Sequence, residues 1–321
     1  QYGNQIESGH YLPIIERNGL PWASQRAGVM HACGHDGHTA TLLAAAEQLA
    51  LHGEFDGTLN LIFQPDEEGL TGARSMMADG LFRRFPCDAV YAFHNMPGFP
   101  VGYAIIKSGG VMASSERVGI TLTGKGGHGA VPERAVDPIP ALAGIISALQ
   151  TVVSRNISAN DAVVISIGKV QAGTATNIIP ESAMLELSVR TVDPAIRQQV
   201  EQRIRTIVEG QAAAFGVTAE IDYQLLAPVL VNTVAETQRM LDAARKALGN
   251  ENVVEQVSFR AMGSEDFAWM LDEVPGCYFG LGNGTGEFNG CSVHNDHYDF
   301  NDQLIPLGAA CWVELVEGYL R

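Results

Sequence analysis

The 321-residue chain carries 36 acidic against 20 basic residues, a formal charge of −16 and an isoelectric point near 4.9. That balance argues against nucleic acid and anionic membrane as partners. With 46% of residues apolar and 17% charged, the chain can bury a sizeable core in one large or two smaller domains, and long disordered stretches are excluded.

The five cysteines, Cys33, Cys87, Cys277, Cys291 and Cys311, are scattered and odd in number, which suits a reducing compartment better than a disulfide framework. No apolar run approaches the roughly 18–20 residues that span a bilayer. Gln1-Tyr2-Gly3-Asn4 shows no basic region leading into an apolar one, so the sequence reads as cytoplasmic.

Residues 1–29 are polar and poorly periodic, with a turn at Asn18-Gly19-Leu20-Pro21. Met30 to Ala40 then packs His31, Cys33, His35, Asp36 and His38 into eleven residues. A thiolate and a neutral imidazole two residues apart suit a borderline divalent metal, although glycine- and histidine-rich loops also cap helices. Thr39 to Leu51 has the apolar spacing of a buried helix. Thr58 to Phe63 reads as a strand leading to Asp66-Glu67-Glu68-Gly69, Ala73 to Ala78 as a short helix stopped by Gly80, and Asp88 to Phe93 as a strand followed by His94. Strand, helix, strand is the rhythm of a parallel sheet, whose chemistry collects at the carboxyl ends of strands.

From Ser114 the texture changes. Glu116–Thr123 alternates as a strand, and Gly124–Gly129 reads as a mobile glycine loop. Asp137-Pro138 caps a helix, strands follow at 162–170 and 183–189, Asp193-Pro194 caps a second helix, and a strand spans 217–223. The order β-α-β-β-α-β is that of a ferredoxin-like unit. The reading is therefore α/β: a mixed or parallel-sheet domain made of residues 1–113 and 225–321, with residues 114–224 inserted. The last segment predicts a helix over 235–248, another opened by Gly263-Ser264-Glu265-Asp266-Phe267, a strand at 277–280 and a closing helix over 306–319. Gly280-Leu281-Gly282-Asn283-Gly284 misses the spacing of a nucleotide loop, and neither G-x-S-x-G nor H-E-x-x-H is present.

Adjacent Glu67 and Glu68, if extended, point opposite ways, so that one can bind a metal while the other handles protons; taken alone they read as a solvated acidic turn. His94 and His294 adjoin apolar segments, where a lone histidine is more often structural. His297 competes with His294, and His31 and His38 compete with His35. His128, in the glycine loop, is a candidate hydrogen-bond donor.

Met30 to Ala40, Phe63 to Gly69, Phe93-His94-Asn95, Gly124 to His128, Asn177 to Pro180, Gly263 to Phe267 and His294, taken in order, resemble the amidohydrolase branch of the M20 metallopeptidases over about residues 12–321. The resemblance implies two divalent ions (zinc, manganese, cobalt or nickel) held by Cys33, His35, Glu68, His94 and His294. Glu67 is then the general base that makes metal-bound hydroxide, and the substrate is an N-acyl amino acid. It also implies a homodimer formed through the inserted unit, which acts as a lid: His128 stabilises the oxyanion in the partner's site, and Asn177 and Arg190 hold the substrate carboxylate. A dipeptidase or carboxypeptidase is the neighbouring reading. The pattern departs at one place, where relatives carry Asp-Ala-Leu-Pro-Ile and this chain has His10-Tyr11-Leu12-Pro13-Ile14. Without that aspartate and the elements preceding it, the resemblance implies weaker metal binding or activity, an exposed sheet edge, and at the extreme a non-catalytic metal-binding homologue.

Overall fold

The computed structural model describes residues 12–255 and 261–321. Contacts divide the chain into two compact units, one of Gln1–Val111, Val231–Phe259 and Asp266–Arg321, the other of Met112–Leu230 and Arg260–Glu265.

The first unit is built on a four-stranded sheet in the order Val90–Pro97, Gly276–Gly284, Ala104–Ile105, Val253–Val254. The first two strands run parallel with His94 opposite Gly280, and Ala104–Ile105 is antiparallel to its long neighbour. Gly276–Gly284 is buried at every position, so the glycine run that faintly suggested a nucleotide loop is an internal strand. Helix Leu304–Tyr319 packs on both His35–His52 and Val234–Leu248. Phe93 and Phe279 each meet Trp312 edge-to-face, with ring centroids 6.1 and 5.3 Å apart, a geometry that aromatic quadrupoles favour, and lie tilted at 33° to one another.

Three expectations are corrected in this unit. Thr58 to Phe63 forms no strand; apolar spacing records a preference for burial, whereas a strand needs a ladder partner, and Leu61 is left 41% exposed. His94 does not follow its strand but lies within it, because pairing with Gly276–Gly284 continues to Pro97. The first helix begins at His35, four residues ahead of the apolar periodicity, because Gly34 in a left-handed conformation (φ 90°) starts it and Asp36 sits in its first turn.

The second unit follows from alternation. Val118, Ile120 and Leu122 on one strand, and Ala183, Leu185, Leu187 and Val189 on another, face a common core. Val200, Ile204, Val208 and Ala212, spaced by four on helix Pro194–Phe215, and Ile145 and Leu149 on helix Pro138–Thr151 cover that face. Fully burying such a side chain stabilises by about 1.5–3 kcal/mol. The sheet is antiparallel in the order Val163–Ala172, Ser182–Thr191, Ser115–Thr123, Thr218–Ala227. Gly124–Gly129 is less free than its composition suggests: Gly127–His128 pairs with Ile178–Ile179, and Lys125 exchanges hydrogen bonds with Val136. The unit also takes in Gly263 and Ser264, which by sequence belong with the segment that follows. The Ala113 N–H donates to the Gly263 carbonyl at 2.9 Å and the Ala261 carbonyl at 3.2 Å. Among the described residues no helix is long and apolar enough to cross a membrane.

Both long helices of this unit are capped as their Asp-Pro pairs predict. Asp137 accepts from the Ile139 N–H at 2.9 Å, and Asp193 accepts from Ala195 at 2.8 Å and Ile196 at 3.0 Å. Replacing Asp193 with Ala removes a double cap and is expected to destabilise the protein by about 1 kcal/mol, read as a lower urea midpoint at unchanged slope.

Candidate active site

Four segments of the first unit bring donor atoms together. Cys33 Sγ, His35 and His94 lie within 4.8 Å of one another, as do Cys33, Glu68 and His294, and His35, Glu67 and Glu68. Cys33 is common to the first two groups, and His35 and Glu68 link both to the third.

The Cys33–His35 segment is held by backbone geometry. At φ 90°, Gly34 turns the chain so that the residues on either side address one space, and its carbonyl accepts the His38 N–H at 3.0 Å. A Cβ at Gly34 would strike the Tyr298 hydroxyl and come within 2.6 Å of Asn95 Oδ1. Buried Asn95 donates through Nδ2 to the Tyr298 hydroxyl at 2.7 Å, and its Oδ1 lies 2.6 Å from His38 Nε2. His38 is therefore a support packed behind the donors and belongs to none of the ligand groups.

His294 arrives on a loop tied to the same place. Its N–H donates to the Ala32 carbonyl at 2.7 Å, and its backbone is left-handed at φ 61°, a conformation rare outside glycine. His297, the sequence-level competitor, instead lies 3.8 Å from Asp296 and joins no donor group. The motif left that choice open; among the described residues it is His294, tied to Ala32, that the structure brings to the other donors.

Glu67 and Glu68 do not sit in an extended segment and do not diverge. Asp66 and Leu70 take left-handed conformations (φ 51° and 54°), the Leu70 N–H donates to the Glu67 carbonyl at 2.7 Å, and the resulting turn aims both carboxylates at His35. Left-handed non-glycine residues at Asp66, Leu70 and His294 each cost about 1–3 kcal/mol and persist only where the surroundings impose them.

The electrostatics suit a cation. Burial, then neighbouring His94, His31 and His294, lowers the His35 pKa to about 3. Burial also lowers His38 and His94. The imidazoles are thus neutral near pH 7, and the 3.7 Å approach of His35 Nε2 to Glu67 is not an ion pair. His94 Nδ1 donates to the Asn95 carbonyl at 2.7 Å, which fixes the tautomer and leaves the Nε2 lone pair facing Cys33 Sγ at 3.3 Å. Glu68 Oε1 is buried, accepts no hydrogen bond among the described residues and lies 3.3 Å from His294 Nε2. A thiol, imidazoles and carboxylates converging on one space form a donor set that fits divalent metal ions.

The second unit carries the remaining candidates. Exposed His128 accepts the Ala130 N–H on Nδ1 at 3.0 Å, so its neutral form presents Nε2–H as a donor. Asn177, also exposed, is joined to the same loop by the Gly129 N–H to its carbonyl at 2.9 Å. Arg190 donates to Ser264 Oγ at 2.8 Å, and burial lowers its pKa. Among the described residues that neutral hydroxyl is its hydrogen-bond partner and no carboxylate pairs with it, which leaves most of a half-buried guanidinium fork for an anion. Sequence reasoning missed Asn95, Tyr298 and Ser264 as supports; only Phe93-His94-Asn95 and Gly263-Ser264-Glu265-Asp266-Phe267 hinted at them. His10 lies outside the described residues.

A mixed α/β sheet with this donor cluster above it defines a metal-hydrolase class of protein. The model of peptidase family M20/M25/M40 matches residues 11–318, and the chain belongs to that family as one of its amidohydrolases. It is 41% identical to a hippurate hydrolase of Campylobacter jejuni over 97% of this chain and 79% of that protein. It is 39% identical to an N-acetylcysteine deacetylase of Bacillus subtilis, over 95% and 78%. The solved structure of Bacillus subtilis YXEP, described as a dinuclear metal-binding M20 peptidase, superposes with a TM-score of 0.83 at 34% identity, covering 97% of this chain and 79% of that one.

Gly34→Ala should be poorly tolerated, since it meets both a left-handed φ and the Tyr298 and Asn95 side chains. A loss of at least about 1–3 kcal/mol is expected, measured by urea denaturation in the presence of a chelator so that metal binding does not contribute.

Proposed function

We propose that the protein hydrolyses the amide bond of N-acyl amino acids, of the hippurate or N-acetyl-amino-acid kind, with two divalent ions in each chain. The observation that carries the reading is the convergence of Cys33, His35, Glu67, Glu68, His94 and His294 in three interlocking groups. Cys33, His35, Glu68, His94 and His294 would hold the ions, drawn from zinc, manganese, cobalt or nickel. Once bound, they supply Lewis acidity to the scissile carbonyl and make water more acidic.

The remaining steps belong to side chains. Glu67, at the edge of the donor cluster, takes the proton of the attacking water and returns it to the leaving amine nitrogen, so that one carboxylate serves as base and then acid. His94 keeps its lone pair turned inward through its bond to the Asn95 carbonyl. Arg190, held by Ser264 and without a carboxylate partner among the described residues, takes the substrate carboxylate together with Asn177. His128, with Nε2–H free to donate, stabilises the tetrahedral oxyanion. As the family resemblance implies, it does so in the partner's site of a homodimer joined through the second unit, which serves as a lid.

Glu67→Gln is the direct test. Hydrolysis of hippurate or N-acetylcysteine should fall by roughly 10²–10⁴-fold while the ions remain bound; full activity would refute the role given to Glu67. Arg190→Ala should raise KM by on the order of 10–100-fold with little change in kcat, the equivalent of losing a charge-assisted hydrogen bond of about 1.5–3 kcal/mol. The same variant should treat substrates lacking a free carboxylate like the parent enzyme.

A further inference from the structure

We infer that Asp266 is a positioning residue for Glu67. The inference rests on the general-base role proposed above and names what keeps that base in place. The Asp266 carboxylate is wholly buried. One oxygen accepts from Gln64 Nε2, and the other accepts the Ala73 backbone N–H at 2.8 Å. These two donors stand on either side of the turn that carries Glu67 and Glu68: Gln64 enters it two residues before Asp66, and Ala73 leaves it three residues after Leu70.

The turn needs a clamp. Its two left-handed residues, Asp66 and Leu70, are not glycines, so the conformation is strained unless its ends are fixed. At its base the chain closes so tightly that a Cβ on Gly72 would strike the Pro65 carbonyl oxygen. Asp266, from a distant part of the sequence, joins the entering and leaving strands of chain at that closure. Its carboxylate oxygen also lies within 4.8 Å of a Glu67 carboxylate oxygen, so any shift of the clamp is felt at the base. Asp266 shares no donor group with Cys33, His35, His94 or His294 among the described residues, and both of its oxygens are engaged by Gln64 and Ala73; it acts through the turn.

The hydrogen bonds can be exchanged without changing shape. Asp266→Asn sets an amide NH₂ against one of the two donors, and Gln64→Glu sets a carboxylate against Asp266. Combining them restores both bonds: Asn at 266 donates to Glu at 64 and accepts from Ala73. Each single variant, assayed on hippurate with excess Zn²⁺ or Mn²⁺ at a temperature where it is fully folded, should lose roughly 10–100-fold in kcat with KM nearly unchanged. The double variant should recover most of that loss. In a Glu67→Gln background, Asp266→Asn should add almost nothing, since both changes act through one group. A lower Tm with unchanged kcat in both single variants would reduce Asp266 to a packing role and overturn the inference. A loss from Asp266→Asn that adds in full to that of Glu67→Gln would do the same while leaving the proposed function intact. Full activity of Glu67→Gln itself would instead remove the underlying reading, and the inference with it.

Discussion

Bringing one thiol, three imidazoles and two carboxylates within a few ångströms of each other is unfavourable in a bare protein, and the first unit is arranged to impose it. Buried imidazoles are driven to their neutral form, His35 to a pKa of about 3, and a buried Glu68 oxygen accepts no hydrogen bond among the described residues. Such an arrangement persists because backbone geometry elsewhere over-determines it. Gly34, Asp66, Leu70 and His294 all adopt left-handed conformations, and all lie beside or within the segments that carry the donors. A divalent pair would relieve the repulsion and turn a local cost into binding energy.

Much of the rigidity behind Cys33, His35 and His94 comes from hydrogen bonds between neutral groups. Asn95 joins His38, Tyr298 and the neighbourhood of Gly34. Tyr298 in turn takes Asn18 Nδ2 on its carbonyl at 3.2 Å, and burial raises its hydroxyl's pKa, so it stays a neutral partner. His294 is fastened by its backbone to Ala32, one residue from Cys33. Three segments distant in sequence are thereby locked to one another without charges that would compete with a metal for its ligands. The second unit uses the opposite strategy at Arg190, where a charge is held by a hydroxyl and left without a carboxylate among the described residues.

Much of this was legible in the sequence where one residue's chemistry decides the local structure. Asp137-Pro138 and Asp193-Pro194 announced helix starts that the structure places at Pro138 and Pro194, and strict alternation gave the strands around Val118 and Leu185. The donor residues were visible as types. What the sequence could not carry was pairing and direction. Thr58 to Phe63 has the composition of a strand and no ladder. Glu67 and Glu68 were expected to diverge, because nothing in Asp-Glu-Glu-Gly reveals that Asp66 and Leu70 reverse the chain. His294 and His297 are equivalent as letters and are separated only by a tertiary bond to Ala32. Supports such as Asn95 and Ser264 depend on partners tens to hundreds of residues away, which no local pattern encodes.

The most direct test of this account is the metal content of the purified protein after dialysis against metal-free buffer, measured by elemental analysis alongside hydrolysis of hippurate. The account predicts that up to two divalent ions per chain are retained or can be restored, and that activity follows their occupancy. A protein that remains metal-free and hydrolyses its substrate undiminished would contradict it.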